Sequence, residues 1–182
     1  MIYHYIPVYD FEILMPLELN QETLYADSLS MSLALRIFAG KRVLRHPGSS
    51  IAKKVDLYDP TICIIASKKF DIENNVKAKI IIAPNLSLKN NNKFINDIDK
   101  VLKSTTTLFI GISFPKQNLL AKQIQKSYPY LEIYAIGAVI DDVLEKKTIP
   151  PIISKMRIEW LYRMFLNPIR SLSKYSKIIK YF

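Results

Sequence analysis

The residues best placed to do chemistry stand where an apolar run meets a polar cluster. The stretch GISFPKQ (111–117) continues the run TLFI and precedes a helical pattern. It carries Gly111, Pro115, Lys116 and Gln117. A strand end that opens a helix faces the ligand crevice in α/β folds, and the helix N-terminus there favours anions. Lys116 brings a charge to that place and Gln117 an amide. A second stretch, IGAVIDD (136–142), ends another apolar run with Gly137, a residue that permits close approach, and goes on to Asp141 and Asp142. A third, EWLYR followed by NPIR (159–170), supplies Arg163 and Arg170. The whole chain agrees with this anionic bias. Its 26 Lys and Arg residues against 16 Asp and Glu give a formal charge of +10. Such an excess favours nucleic acid, a phosphorylated ligand or an anionic lipid surface.

These residues need a scaffold, and the apolar runs describe one. TICIIAS (61–67), AKIIIAP (78–84), TLFIGIS (107–113) and LEIYAIGAV (131–139) are short and rich in β-branched residues. Continuous apolar runs of this length suit strands covered on both faces. Between them NKFINDIDKVLKS (92–104) places Phe94, Ile95, Ile98, Val101 and Leu102 on one helical face. KQNLLAKQIQKSY (116–128) does the same with Leu119, Leu120 and Ile124. Strands alternating with helices imply a parallel sheet, so the expected fold class is α/β, Rossmann-like, with a mostly parallel sheet flanked by helices.

In the N-terminal third, FEILMP (11–16) is a candidate strand. SLSMSLALRIFAG (28–40) is a candidate helix, with Asp27 as N-cap and Gly40 just past its end. HPGSS (46–50) is a turn. From 152 onward the chain becomes basic, with Glu159 its single acid. Leu172, Tyr175, Ile179 and Phe182 recur at helical spacing, with Arg170, Lys174 and Lys177 opposite. That is the pattern of an interfacial amphipathic helix, and equally of a docked helix with a solvated face. The expected organisation is an α/β domain over 1–150 and a basic helical appendage over 151–182.

Several residues read as ordinary structure. The lone Cys63 sits inside an apolar run and reads as a small buried hydrophobe, and one cysteine excludes an intrachain disulfide. His4 and His46 form no metal-ligand pattern and read as structural or surface residues. Asp141 and Asp142 lack a His or third carboxylate at matching spacing, so a helix-start role is expected and no metal. Trp160 reads as a core or tail-docking aromatic. MIYHYIPVYD has no signal-peptide pattern, and no apolar run approaches the ~20 residues that span a bilayer. The expected location is cytoplasmic, peripheral to a membrane.

Taken in order, these motifs resemble the bacterial WecG/TagA/CpsF glycosyltransferases, family 26. That family has a G-x-G-x-P-K-Q-E stretch after a strand, then G-A-x-x-D, an A-P pair, E-W-L-Y-R and P-x-R before a basic tail. The matching residues are Gly111, Pro115, Lys116, Gln117, Gly137, Ala138, Asp141, Pro151, Glu159 to Arg163, Pro168 and Arg170. Asn118 stands where the motif has its glutamate. Upstream, a D-G-x-G motif followed by an arginine and P-G-[ST] aligns with Asp27, Arg45, Pro47, Gly48 and Ser49, with Ser28 and Ser30 at the motif glycines.

The resemblance implies transfer of a sugar, of N-acetylhexosamine type, from a UDP-sugar to a polyprenyl-diphosphate-linked acceptor during synthesis of a bacterial surface polysaccharide. It implies no catalytic metal and no cofactor. Asp27 becomes the candidate general base, Gln117 a ligand of donor or acceptor polar groups, and Arg163 and Arg170 the partners of diphosphate. Arg45, Gly111, Pro115, Lys116, Gly137 and Asp141 complete the implied substrate site. Residues 152–182 are the expected contact with an anionic membrane surface. The alternative is a degenerate homologue acting as a binding or scaffolding subunit of a polysaccharide-synthesis complex. A nucleic-acid partner is not expected, because no recognised module is present and exposed aromatic platforms do not interleave the charges.

Overall fold

Alternation at the start of the sequence builds a strand. Ile2, His4 and Ile6 alternate with Tyr3 and Tyr5, and in the computed structural model Ile2–Ile6 form β1. The structure describes residues 1–6, 24–26, 32–33, 36–37, 43, 46, 50–51, 54–71, 73–83, 86, 91–137, 139–145, 150, 152–153, 162 and 165. A second short strand, Leu24–Ala26 (β2), pairs with β1. Neither was expected from the sequence. FEILMP lies outside the described residues, as does most of 28–40, within which Ser32, Leu33, Arg36 and Ile37 are helical. Of the appendage expected over 151–182, only residues 152, 153, 162 and 165 are described.

The four apolar runs are strands, each shorter than the run that contains it. They are Ile62–Ala66 (β3), Lys79–Ile82 (β4), Thr107–Gly111 (β5) and Glu132–Ala135 (β6). The sheet order is β2-β1-β6-β5-β3-β4, and every pairing is parallel. The fold is therefore α/β with a parallel sheet, as expected. Strand β3 connects outward to β4, whereas β5 connects the other way to β6. The carboxyl ends of β3 and β5 thus flank a topological switch point, the place where open α/β sheets bind ligands.

The helical pattern over 92–104 is corrected by the structure. It forms two short helices, Asn92–Asp97 (α1) and Asp99–Lys103 (α2). At Ile98 the backbone leaves helical geometry, with φ −102° and ψ 7°. Both pieces still bury the same stripe, Ile95, Ile98 and Leu102. Asp99, opening α2, accepts hydrogen bonds from Tyr128 Oη at 2.6 Å and Lys103 Nζ at 2.7 Å. These contacts hold its carboxyl below the usual range, Lys103 first and Tyr128 second, and push the Tyr128 phenol up to about 12. The next helix, Lys116–Ser127 (α3), covers the same face of the sheet, and Val139–Leu144 (α4) lies on the other.

Period-two alternation distributes the core between the faces. Cys63, Ile65, Leu108, Ile110, Ile133 and Ala135 point toward α1–α3, where Leu102, Leu120, Ala121 and Ile124 meet them. Ile62, Ile64, Phe109 and Ile136 point toward α4, Ile51 and Phe70. Cys63 is fully buried, and burial pushes its thiol up to about 12, which makes it a hydrophobe rather than a nucleophile.

Candidate functional site

The stretch 111–118 behaves as a strand end that turns into a helix. β5 ends at Gly111, Ser113 is exposed, and Pro115 caps α3 after a cis Phe114–Pro115 bond. The turn closes on itself, since the Gln117 N–H donates to Ser113 O at 3.3 Å and the Asn118 N–H to Pro115 O at 3.0 Å. With those amides engaged inside the turn, half-buried Lys116 supplies the positive charge at this end of α3.

Gln117 faces inward. It is 1% exposed, and its Nε2 donates to the carbonyl of Ala135, the last residue of β6, at 3.0 Å. This bond ties α3 to β6 across the carboxyl edge of the sheet. Gly137 makes it possible. Its φ is +64°, in the region that favours glycine, and a Cβ there would lie 2.9 Å from Gln117 Oε1. The Ile136 and Gly137 N–H groups both donate to Ile110 O, at 3.2 and 3.1 Å. Strand end, glycine and glutamine are thereby fastened together.

Gly111 serves a different need. A Cβ on it would come 1.9 Å from Ile140 Cγ2, so the space belongs to α4 packing directly on β5. Asp141 follows Ile140 in the first turn of α4 and is buried at 8% exposure. The expectation of a helix-start role for Asp141 agrees with this placement, where a carboxylate meets the positive end of the peptide dipoles.

Two buried polar neighbours of Gln117 were not placed near the site by the sequence reading, which took His4 as a structural or surface residue. His4 on β1 is 3% exposed and Asn118 is 0% exposed. Asn118 Nδ2 and His4 Nδ1 are 2.9 Å apart. Burial, followed by the positive charge of Lys122, lowers the His4 pKa to about 4, so the imidazole is neutral near pH 7. With the Asn118 amide as donor, Nδ1 accepts and the ring proton resides on Nε2. Asn118 Oδ1 is buried without a protein hydrogen-bond partner. The available signal was the alternation in IYHYI, which turns His4 toward the same face as Ile2. The helical pattern over 116–128 also needs correction at this point. Its inward stripe includes Gln117 and Asn118 beside Leu120 and Ile124, while Leu119 is only half-buried.

The remaining site residues named from sequence, Asp27, Arg45, Arg163 and Arg170, lie outside the described residues. Their described neighbours Ala26 and His46 are joined, the His46 N–H donating to Ala26 O at 3.0 Å. The His46 ring is held by Ser50 Oγ at 3.0 Å from Nδ1 and by the edge of Tyr25, with centroids 5.4 Å apart. On the α4 face a separate cavity of about 440 Å³ is lined by Leu57, Tyr58, Lys69, Phe70, Asp71, Glu73, Val76, Leu144 and Glu145. None of the site residues read from sequence lines it. Among the described residues no group of three His, Cys, Asp or Glu side chains is placed to hold a metal ion. No helix among them is long and apolar enough to cross a membrane.

Against known proteins, one family model matches: the Glycosyl transferase WecG/TagA/CpsF family, over residues 60–182. A search of curated proteins gives no match. The family match covers more than half of the chain and includes α3, Gln117, Gly137 and Asp141, and the chain belongs to that family.

Proposed function

As a member of the WecG/TagA/CpsF glycosyltransferases, this chain has a role in cell-surface polysaccharide synthesis, and we propose that it uses a UDP-sugar of N-acetylhexosamine type as donor and a polyprenyl-diphosphate-linked sugar as acceptor. The observation that supports this reading most is the junction of β5 and α3 inside the matched segment. Lys116 stands at the helix start beside the switch point, and Gln117 is locked to β6. That arrangement offers a positive charge beside an anchored amide where open α/β sheets take phosphorylated ligands.

In the proposed reaction an acceptor hydroxyl attacks the anomeric carbon of the donor sugar. The new glycosidic bond forms as the bond to the UDP oxygen breaks, and UDP departs with that electron pair. Asp27 takes the hydroxyl proton. Lys116, Arg45, Arg163 and Arg170 balance diphosphate charge, for which the guanidinium fork is suited. Gly111, Pro115, Gln117, Gly137 and Asp141 shape the crevice around them. Residues 152–182 carry the chain to an anionic membrane at its cytoplasmic face, where the lipid acceptor resides.

The test is release of UDP from UDP-sugars supplied with a short lipid-diphosphate sugar in membranes. Release by the native chain, abolished in a folded Asp27→Asn variant, is the expected result. Full activity in that variant removes Asp27 as the base. Absence of binding by every UDP-sugar, with membranes present, instead identifies a non-catalytic member acting as a binding or scaffolding subunit.

A further inference from the structure

The family match begins at residue 60, yet the crevice it contains is fastened to a residue near the start of the chain. His4 lies in register with Ala135, β1 pairing with β6. Ala135 O accepts the Gln117 side chain at 3.0 Å, and His4 Nδ1 meets the side chain of Asn118, the next residue, at 2.9 Å. Two consecutive residues of the first full turn of α3 are therefore anchored to two neighbouring strands. All three side chains are at most 3% exposed. A buried polar pair of this kind adds little net stability over an apolar pair of equal shape, but its geometry is directional. The directional bonds constrain the rotation of α3 about its axis, and with it the backbone position from which Lys116 extends.

We infer that His4, acting through Asn118, is a positioning residue for the phosphate-binding end of α3, which makes the N-terminal strand a working part of the crevice. This rests on the proposed reading that α3 meets the diphosphate of a UDP-sugar. Neither residue touches the ligand. Their effect is to hold Lys116 and Gln117 in place, and small displacements of such groups are costly.

The experiment uses the full chain with UDP as probe. His4→Leu and Asn118→Leu remove the bond while filling the space. His4→Gln restores an acceptor for the Asn118 amide. Expected in the folded fraction are UDP affinities weakened by about tenfold or more in both leucine variants and recovered to within about threefold in His4→Gln. Equal affinity in all four proteins overturns the inference, since a purely structural pair changes only the melting temperature. Uniform weakening that His4→Gln does not relieve also overturns it. Hydrogen exchange at Gln117 and Asn118 supplies a readout independent of ligand. Faster exchange in the leucine variants, and native rates in His4→Gln, supports positioning. Unchanged rates refute it, even where the native chain binds no UDP and the donor reading itself has failed.

Discussion

The two faces of the sheet are built by different means. Toward α1–α3 the packing is largely aliphatic, and at its carboxyl end three buried polar side chains are set by directed bonds, Gln117 to Ala135 and Asn118 to His4. Toward α4 the packing is aromatic across the strands. Phe109, Tyr134 and Tyr3 stack in succession with centroids 5.1 and 4.6 Å apart, and Tyr25 continues the row 6.0 Å from Tyr3. Phe109 is 2% exposed, while Tyr3, Tyr25 and Tyr134 are partly buried. Burial, with the Glu132 carboxylate, raises the phenol pKa of both Tyr3 and Tyr134. Stacked rings gain contact area with little demand on exact orientation, whereas the polar cluster gains orientation with little net stability. The aromatic row on the α4 face holds the strands together, and the polar cluster on the α1–α3 face holds a helix end in one place.

Four measurements bear on that division. The largest effect belongs to the aromatic row. Phe109→Ala is expected to lose about 3–5 kcal/mol in urea unfolding, the range for a buried phenylalanine. A loss well below that range would mean the row is not a packing unit.

Next is the pH dependence of the polar cluster. The folded pKa of His4 is lowered from 6.5 to about 4, so the unfolded chain binds more protons between those values. Its contribution is complete above pH 6.5 and is lost as pH falls from 6.5 toward 4, by up to about 3 kcal/mol. Below pH 4 the loss from this group levels off. Melting curves across that window should show the decline in the native chain and a flatter profile in His4→Leu. Equal slopes in the two proteins would show that His4 is not the group responsible.

Gly137→Ala probes the same cluster from the backbone. A Cβ at φ +64° costs about 1–2 kcal/mol and also presses on Gln117 Oε1. Thermal melts should show the loss, and adding Gln117→Ala should recover part of it if the clash matters. The smallest effect is expected at the surface. Lys68 and Glu145 approach to 2.5 Å with side chains 52% and 26% exposed, and Glu145→Gln should change stability by less than about 1 kcal/mol. A larger loss would move that pair from the rim into the packing of the α4 face.

Much of the architecture was legible because its signals are local. TICIIAS and TLFIGIS are apolar throughout, as strands covered on both faces must be, and β3 and β5 lie inside them. The junction PKQ was legible as a helix start at a strand end, and Lys116 opens α3 accordingly. Less legible was the single helix read over 92–104, because periodicity persists through Ile98 although the backbone breaks there. β1 and β2 were missed because IYHYI and LYA are short and carry polar or aromatic residues in place of a continuous aliphatic run. The two glycines read alike as sequence and act differently. Gly111 makes room for Ile140, and Gly137 supplies a positive φ beside Gln117.

The amino-acid sequence alone determined that this chain builds a parallel α/β sheet, that its charge suits an anionic partner, and that GISFPKQ joins a strand end to a helix start. Propensity and periodicity act over a few residues, and those conclusions need nothing more. Only the tertiary structure decided that β1 lies beside β6, which brings His4 to Asn118 across 114 positions of sequence. No local pattern encodes such a meeting. It exists because the strand order makes neighbours of distant segments, and because a buried imidazole must find a partner among whatever that order places beside it.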